Sequence, residues 1–474
     1  VEQLGALDAR FLYQETPTIH MHTIKVAIVD PTNVPGGYSF DVFRRIIGER
    51  IHLLPPFRRR IVELPFGMHH PVWIEDGQFD LDRHVKHRTA AAPGGEAELT
   101  AIVSEVAGTP LDRSRPLWEI TMVDGLASGK LAFVAKVHHA VADGVAAAAM
   151  LANVLETDRD PSKAPSPAEP WHGEPVPGRW KLALLALREW LRLLLGVPRL
   201  FGRTMSGMFL QRRQRRASAV RAPLPFEGPR TRFNTTATAN RVFAMTSVPI
   251  DDVRAVKRAF GVTLNDAFLA MVGGALRTYL LEHDELPKRS LVASVPTASG
   301  FDEPGRLTGN RVVNLSTRLR TDLDDPIARI YSIHEVTSLA KELKESMGKD
   351  VLAEWTSFTP PRLFAFTIRA WGRTGLSDRV RPPMNLIVSN VPGPHQPLHA
   401  AGGTLEHIYS VGPILDGIGL NITAWSYVDS LDISLLACPD RVPDLARLAA
   451  LLAPALDELL NTARRVGRLD ATTG

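Results

Sequence analysis

The stretch LAFVAKVHHAVADGVAAAAM, from Leu131 to Met150, confines this chain more than any other. A β-rich apolar run ends in two adjacent histidines. Asp143 follows four residues after the second, and Gly144 opens an alanine-rich helical pattern. A strand that turns directly into a helix needs a sheet to lie in and a helical layer to cover it, so the class is α/β. Side chains alternate along a strand, so Leu131, Phe133, Ala135, Val137 and His139 share one face, and Ala132, Val134, Lys136 and His138 the other. Only one of the two imidazoles can then enter a given cavity. His139 continues the purely apolar face, where burial favours a neutral ring able to accept a proton, and it is the candidate base. Asp143 falls in the tight turn, where a carboxylate caps backbone N–H groups or meets an arginine. Arg10 and the run Arg58, Arg59 and Arg60 are equally plausible partners. A second pair, His69 and His70, precedes a proline at the wrong spacing to Asp76 and reads as surface or packing.

On either side of this run, short β-rich segments alternate with helical patterns. FDVFRRIIGERIHLL and AELTAIVSEVAG read as amphipathic helices, with LWEITMVDGL and KLAFVAKVHH as strands about a turn at Ala127–Lys130. Further on, DVRAVKRAFG and LNDAFLAMVGGALRTYLLEH are helical. SLVASVP, RVVNLSTRLR, MNLIVSNV and LDISLLAC are strand-like. Between the two sets lies DRDPSKAPSPAEPWHGEPVPG, whose Pro, Ser and Gly content is that of a linker. A length of 474 residues accommodates two large domains. The expected division is 1–160, a connector over 161–239, and 240–474.

The connector holds most of the excess charge. From Trp180 to Arg216 nine Lys and Arg side chains face one acid, Glu189. Lys181, Arg188, Arg192, Arg199 and Arg203 are spaced to form one stripe, opposite leucines and tryptophans, with Gly196 and Pro198 expected to break the segment into two helices. Mid-helix charges argue against a spanning segment, and the pattern suits a helix lying in a membrane or lipid-droplet interface.

Several chemistries lose their usual support. Cys438 is the single cysteine, which excludes an intrachain disulfide and a multi-cysteine zinc site. There is no GxxxxGK[ST], no GxGxxG and no GxSxG. The opening VEQLGALDARF has an early Glu2 and no apolar core after it, so the expected compartment is the cytoplasm, with peripheral membrane attachment. The basic RRQRR lacks interleaved aromatics, so nucleic acid is not an expected partner. No metal site is expected.

HHAVADG at His138–Gly144 matches the HHxxxDG signature of CoA-dependent acyltransferases. Other segments narrow the likeness: LGALDARFL with Met21 and His22, PVWIEDGQFDLDRHV, RPLWE, LNDAFL and SNVPGP, in order along nearly the whole length. Together they resemble the bacterial wax ester synthase/diacylglycerol acyltransferase family. The resemblance implies two chloramphenicol-acetyltransferase-like domains with mixed sheets flanked by helices, and an active-site tunnel at their interface. It implies acyl-CoA as co-substrate with no further cofactor, and diacylglycerol or a long-chain alcohol as acceptor. His139 would be the general base, with His138 beside it and Asp143 in a structural ion pair. The resemblance counts Gly144, Pro116, Leu117, Trp118, Asn265, Asp266, Asn390 and Gly393 as substrate-binding, with Pro116, Leu117 and Trp118 beside the tunnel and Asn390 and Gly393 near the domain junction. Asn265 and Asp266 begin a helical pattern and either cap it or act at the acyl carbonyl, where an amide donor would steady the oxyanion. A carrier-protein-fed condensation domain and a non-catalytic lipid-droplet protein are the competing expectations.

Overall fold

The computed structural model describes residues 2–34, 36–142, 146, 150, 154–155, 171–217, 223–298, 312–347, 361–400 and 402–469. Among them the strands are, in chain order, β1 (Glu2–Gln3), β2 (His22–Asp30), β3 (Arg59–Val62), β4 (Val72–Glu75), β5 (Val85–Thr89), β6 (Trp118–Asp124), β7 (Leu131–His138), β8 (Val242–Pro249), β9 (Val292–Ala298), β10 (Val312–Arg318), β11 (Leu386–Val391), β12 (His399–Ala400), β13 (Gly403–Val411), β14 (Leu420–Tyr427) and β15 (Ser430–Ala437).

They form two six-stranded mixed sheets and a small three-stranded one, β1-β4-β3. The first large sheet runs β12-β13-β2-β7-β6-β5, antiparallel except for β5 beside β6. The second runs β10-β9-β11-β14-β15-β8, with β11 parallel to both its neighbours. Strands β12 and β13 come late in the chain yet complete the first sheet, where β13 pairs with β2. This crossover ties the two halves together. Buried Asp432 on β15 accepts from the backbone N–H of Ile408 at 2.8 Å and from Ser247 at 2.8 Å, and pairs with the His407 ring at 2.9 Å.

The cores follow from the patterning. In the second half, the helix Leu264–Glu282 is buried from Asp266 to Leu276 and is covered by the amphipathic helices Ile250–Phe260 and Leu452–Arg465. In the first, alternate residues of β7 part company. Ala132 and Val134 meet the helix Glu96–Gly108, whereas Leu131 and Phe133 join Phe43, Trp118 and Trp425.

The connector departs from the expected pattern in two ways. Arg179–Ala217 is one helix that continues through Pro198. A proline removes one backbone hydrogen bond, and here it lies on an exposed side where water can meet the freed carbonyl. The helix also has three faces rather than two. Leu182 and Ala186 are buried against Leu64, Val72 and Ile74. Trp180, Leu184, Leu187, Leu191 and Leu195 stand exposed in a row of their own. The exposed cations Lys181, Arg188, Arg192 and Arg199 therefore flank an uncovered apolar stripe instead of opposing a buried one. No single helix among the described residues is long and apolar enough to cross a membrane.

Candidate active site

The histidine turn is set by backbone contacts from three directions. β7 ends at His138, whose N–H donates to the Leu117 carbonyl at 3.0 Å. The His139 N–H donates to Met21 at 2.7 Å, and the Val141 N–H closes the turn onto His138 at 2.9 Å. The two rings then diverge. His138 is fully buried. Its Nδ1 accepts from the Ala140 N–H at 3.0 Å, which places the proton of the neutral ring on Nε2. That Nε2 lies 3.7 Å from Glu15. Burial, then Arg113, His22 and His139, push the His138 imidazole well below its ordinary range, so the contact is not an ion pair. Burial likewise raises the Glu15 carboxyl, against the pull of Arg113.

His139 instead lines a cavity of about 530 Å³ between the two large sheets, with its ring stacked on Phe11 at 4.1 Å and 9°. Side chains of β2 and β13 form one wall and those of β9, β11 and β14 the other. The size is that of a small-molecule site. Polar side chains from both walls, among them Thr23, Ser294, Ser389, Asn421 and Thr423, alternate with apolar ones along the lining. Lys25 is buried over the Trp425 ring at 4.6 Å and donates to Ser410 at 3.0 Å; burial brings its pKa down to about 8. Trp425 is fully buried, and its Nε1 has no acceptor among the described residues.

The residues singled out from sequence separate into two groups. His139, Asn265 and Asn390 line the cavity. Asp266 does not: it is fully buried and closes a capping box with Thr263, accepting from the Thr263 N–H at 3.0 Å while its own N–H donates to the Thr263 hydroxyl oxygen at 3.2 Å. Thr337 donates to its carboxylate at 2.6 Å and the His334 ring approaches to 2.8 Å. Burial works against its charge, but those donors hold the carboxyl below its ordinary value. Its role is to fix the helix start from which Asn265 projects.

Pro116, Leu117 and Trp118 also stand behind the site rather than in the cavity. Leu117 is buried against Ala140 and Val141 and receives the His138 N–H. Trp118 is sandwiched between Phe57 and His84 and donates to the Phe57 carbonyl at 2.8 Å. Gly393 lies beside the cavity. A side chain there would overlap the Ser426 carbonyl and the Trp425 indole, so glycine permits the close approach. Asp143 and Gly144 lie outside the described residues. Of the arginines weighed for Asp143, Arg59 pairs with Glu2 and Glu75 and Arg60 with Asp76, whereas Arg10 lines the cavity. His69 and His70 are buried and bonded to Gln3 and Tyr13 respectively, and His69 edges a second cavity. Phe11, Lys25 and Trp425 were not found from sequence, because their approach to His139 depends on strand pairings and a sheet crossing far along the chain.

The description "Wax ester synthase/diacylglycerol acyltransferase catalytic domain" matches residues 4–268, and "WS/DGAT C-terminal domain" matches residues 308–460. The chain belongs to this family. A Mycobacterium tuberculosis protein that bears the name putative diacylglycerol O-acyltransferase is 38% identical over 444 residues, 94% of this chain and 92% of that one. Another from the same species is 36% identical over 467 residues, covering 97% and 90%. The wax ester synthase/diacylglycerol acyltransferase of Marinobacter aquaeolei VT8 superposes with a TM-score of 0.69 at 27% identity, over 98% of this chain and 100% of that one. The first condensation domain of the CDA synthetase shares the fold alone, at a TM-score of 0.54 and 16% identity over 98% and 95%. The protein is thus an acyltransferase with the two-domain architecture of its family.

Proposed function

We propose that this acyltransferase moves a long-chain acyl group from acyl-CoA to the hydroxyl of diacylglycerol, and secondarily of a long-chain alcohol. The observation that carries the reading is that His139, alone of the two motif histidines, faces a largely apolar cavity walled by both domains. A ring nitrogen of His139 accepts the acceptor's hydroxyl proton as that oxygen forms a bond to the thioester carbonyl carbon. The carbonyl π electrons move to its oxygen. They return as the carbon–sulfur bond breaks, and the departing CoA thiolate takes the proton back from His139. Charge appears on the carbonyl oxygen between these steps, and Asn265 is the amide donor proposed to meet it. The enclosed site contributes by holding both substrates in line.

The uncovered stripe of Trp180, Leu184, Leu187, Leu191 and Leu195, bordered by exposed cations, supports a seat at a lipid–water interface, where such acceptors reside. The test is thiol release from palmitoyl-CoA with dioleoylglycerol and hexadecanol offered separately. Release with dioleoylglycerol is expected to be the faster. Turnover with neither, or turnover only from an acyl-carrier protein, would refute the proposal.

A further inference from the structure

A second cavity, of about 480 Å³, lies across the helix Ala6–Gln14 from the first: Phe11 of that helix stacks on His139, while Leu12 and Tyr13 line the second cavity. Its opposite wall is the helix Pro361–Arg373. Arg362, Phe366, Arg369 and Arg373 recur at intervals of four, three and four residues, so all four share one face, and all four line the cavity. Among the described residues none of the three arginines has a carboxylate partner. Arg113 lines the cavity too, but is engaged by Glu15 at 3.5 Å and by the Leu12 carbonyl at 3.0 Å. Glu63 is the one lining acid. Arg369 and Arg373 stand one turn apart, with Arg362 two turns away beyond Phe366, and guanidinium forks with this little opposing charge suit a phosphate ester.

The rim is apolar. Phe66, Phe366 and Leu363 are 69%, 68% and 56% exposed. Phe66 takes a left-handed backbone, with φ 57°, uncommon for an aromatic residue and adopted here in a turn that turns its ring outward. The next residue, Gly67, brings that turn against the Arg362 side chain. On its far side the same turn meets the connector helix, where Trp190 donates to the Met68 carbonyl at 2.6 Å and stands edge-on to His69. The arginine cavity is therefore linked through this turn to the packed side of the helix Arg179–Ala217, whose exposed apolar and basic stripes run along its other faces.

We propose that this cavity binds the phosphate of an anionic glycerophospholipid, with the rim phenylalanines set among the acyl chains. Charge complementarity selects the phosphate, and the exposed rim selects a phosphate that carries apolar chains over a soluble nucleotide. The inference rests on the proposed lipid acceptor only for its purpose, which is to hold the cleft at the surface where that acceptor lies.

The test uses the full chain and vesicles of phosphatidylcholine alone, with phosphatidate, or with the same fraction of phosphatidylglycerol. Three charge variants are compared with the parent: R362Q/R369Q/R373Q, R362K/R369K/R373K, and K181Q/R188Q/R192Q in the connector. The glutamine triple variant is expected to bind phosphatidate vesicles roughly tenfold or more weakly. The lysine triple variant is expected to keep general attraction to the anionic surface but lose most of the preference for phosphatidate over phosphatidylglycerol, because point charges replace the forks. Parent-like phosphatidate preference in the lysine variant would overturn the site even if the glutamine variant fails to fold. So would displacement by 3′,5′-ADP with a raised KM for acyl-CoA, which assigns the arginines to CoA. Loss confined to the connector variant would overturn it as well. Vesicle binding is read without turnover, so absence of acyl transfer would refute the proposed function and leave this result standing.

Discussion

Acid should unfold this protein through four buried imidazoles. His22 and His138 are held well below the ordinary histidine range, first by burial. His20 and His70 are each brought down to about 4, again chiefly by burial, with Arg241 and His69 respectively adding to the effect. In the folded state these rings stay neutral at pH values where the unfolded chain, titrating near 6.5, takes up a proton on each. A depressed histidine pKa therefore stabilises the fold above about pH 6.5, and that stability is lost as pH falls through the window below it. Between pH 7.5 and pH 5 the His20 and His70 rings cost about 2 kcal/mol each, about 4 kcal/mol together, a sizeable part of the stability of a typical domain, and His22 and His138 act in the same direction. The half-buried Glu15 and Asp416 carboxyls, both raised chiefly by desolvation, titrate in the opposite sense and offset a part. Urea unfolding at pH 7.5, 6 and 5 measures the slope. His22→Gln keeps an N–H donor for the Ala107 carbonyl, which His22 meets at 2.9 Å, and cannot be protonated, so it should flatten the acid limb by about one proton. An unfolding free energy unchanged between pH 7.5 and pH 5 would refute the reasoning.

Two further outcomes follow from the cavity. Asn265→Ala should lower kcat by about 10²-fold with little change in melting midpoint, if its amide meets the developing oxyanion; a change confined to KM would make it a binding group only. Gly393→Ala should cost about 1–3 kcal/mol, because the new methyl overlaps the Trp425 indole and the Ser426 carbonyl, and a melting curve that does not move would contradict the packing described.

The elements with strong local periodicity were legible in the sequence. The helices Glu96–Gly108 and Leu264–Glu282 and the hairpin of β6 and β7 fall where apolar spacing expects them. What stayed hidden was decided by distant partners. β13 reads as an ordinary late segment, and nothing local says that it crosses to pair with β2. The same holds for Lys25, a lysine in a strand, which becomes a buried cation only because Ser410 and Trp425 arrive from the other half of the chain. Asn265 and Asp266 are adjacent and both polar, yet a helix start sends one into the cavity and the other into a cap. The connector's amphipathicity was visible, but its third, buried face required the small sheet of β1, β4 and β3 to pack against.

The central claim is that His139 acts on the substrate while His138 holds the turn. It is tested most directly by thiol release from palmitoyl-CoA with dioleoylglycerol, alongside melting curves, for His139→Gln and His138→Gln. The account predicts that His139→Gln loses turnover by at least about 10²-fold at an unchanged melting midpoint, whereas His138→Gln lowers that midpoint. Near-parental turnover in a folded His139→Gln would contradict it.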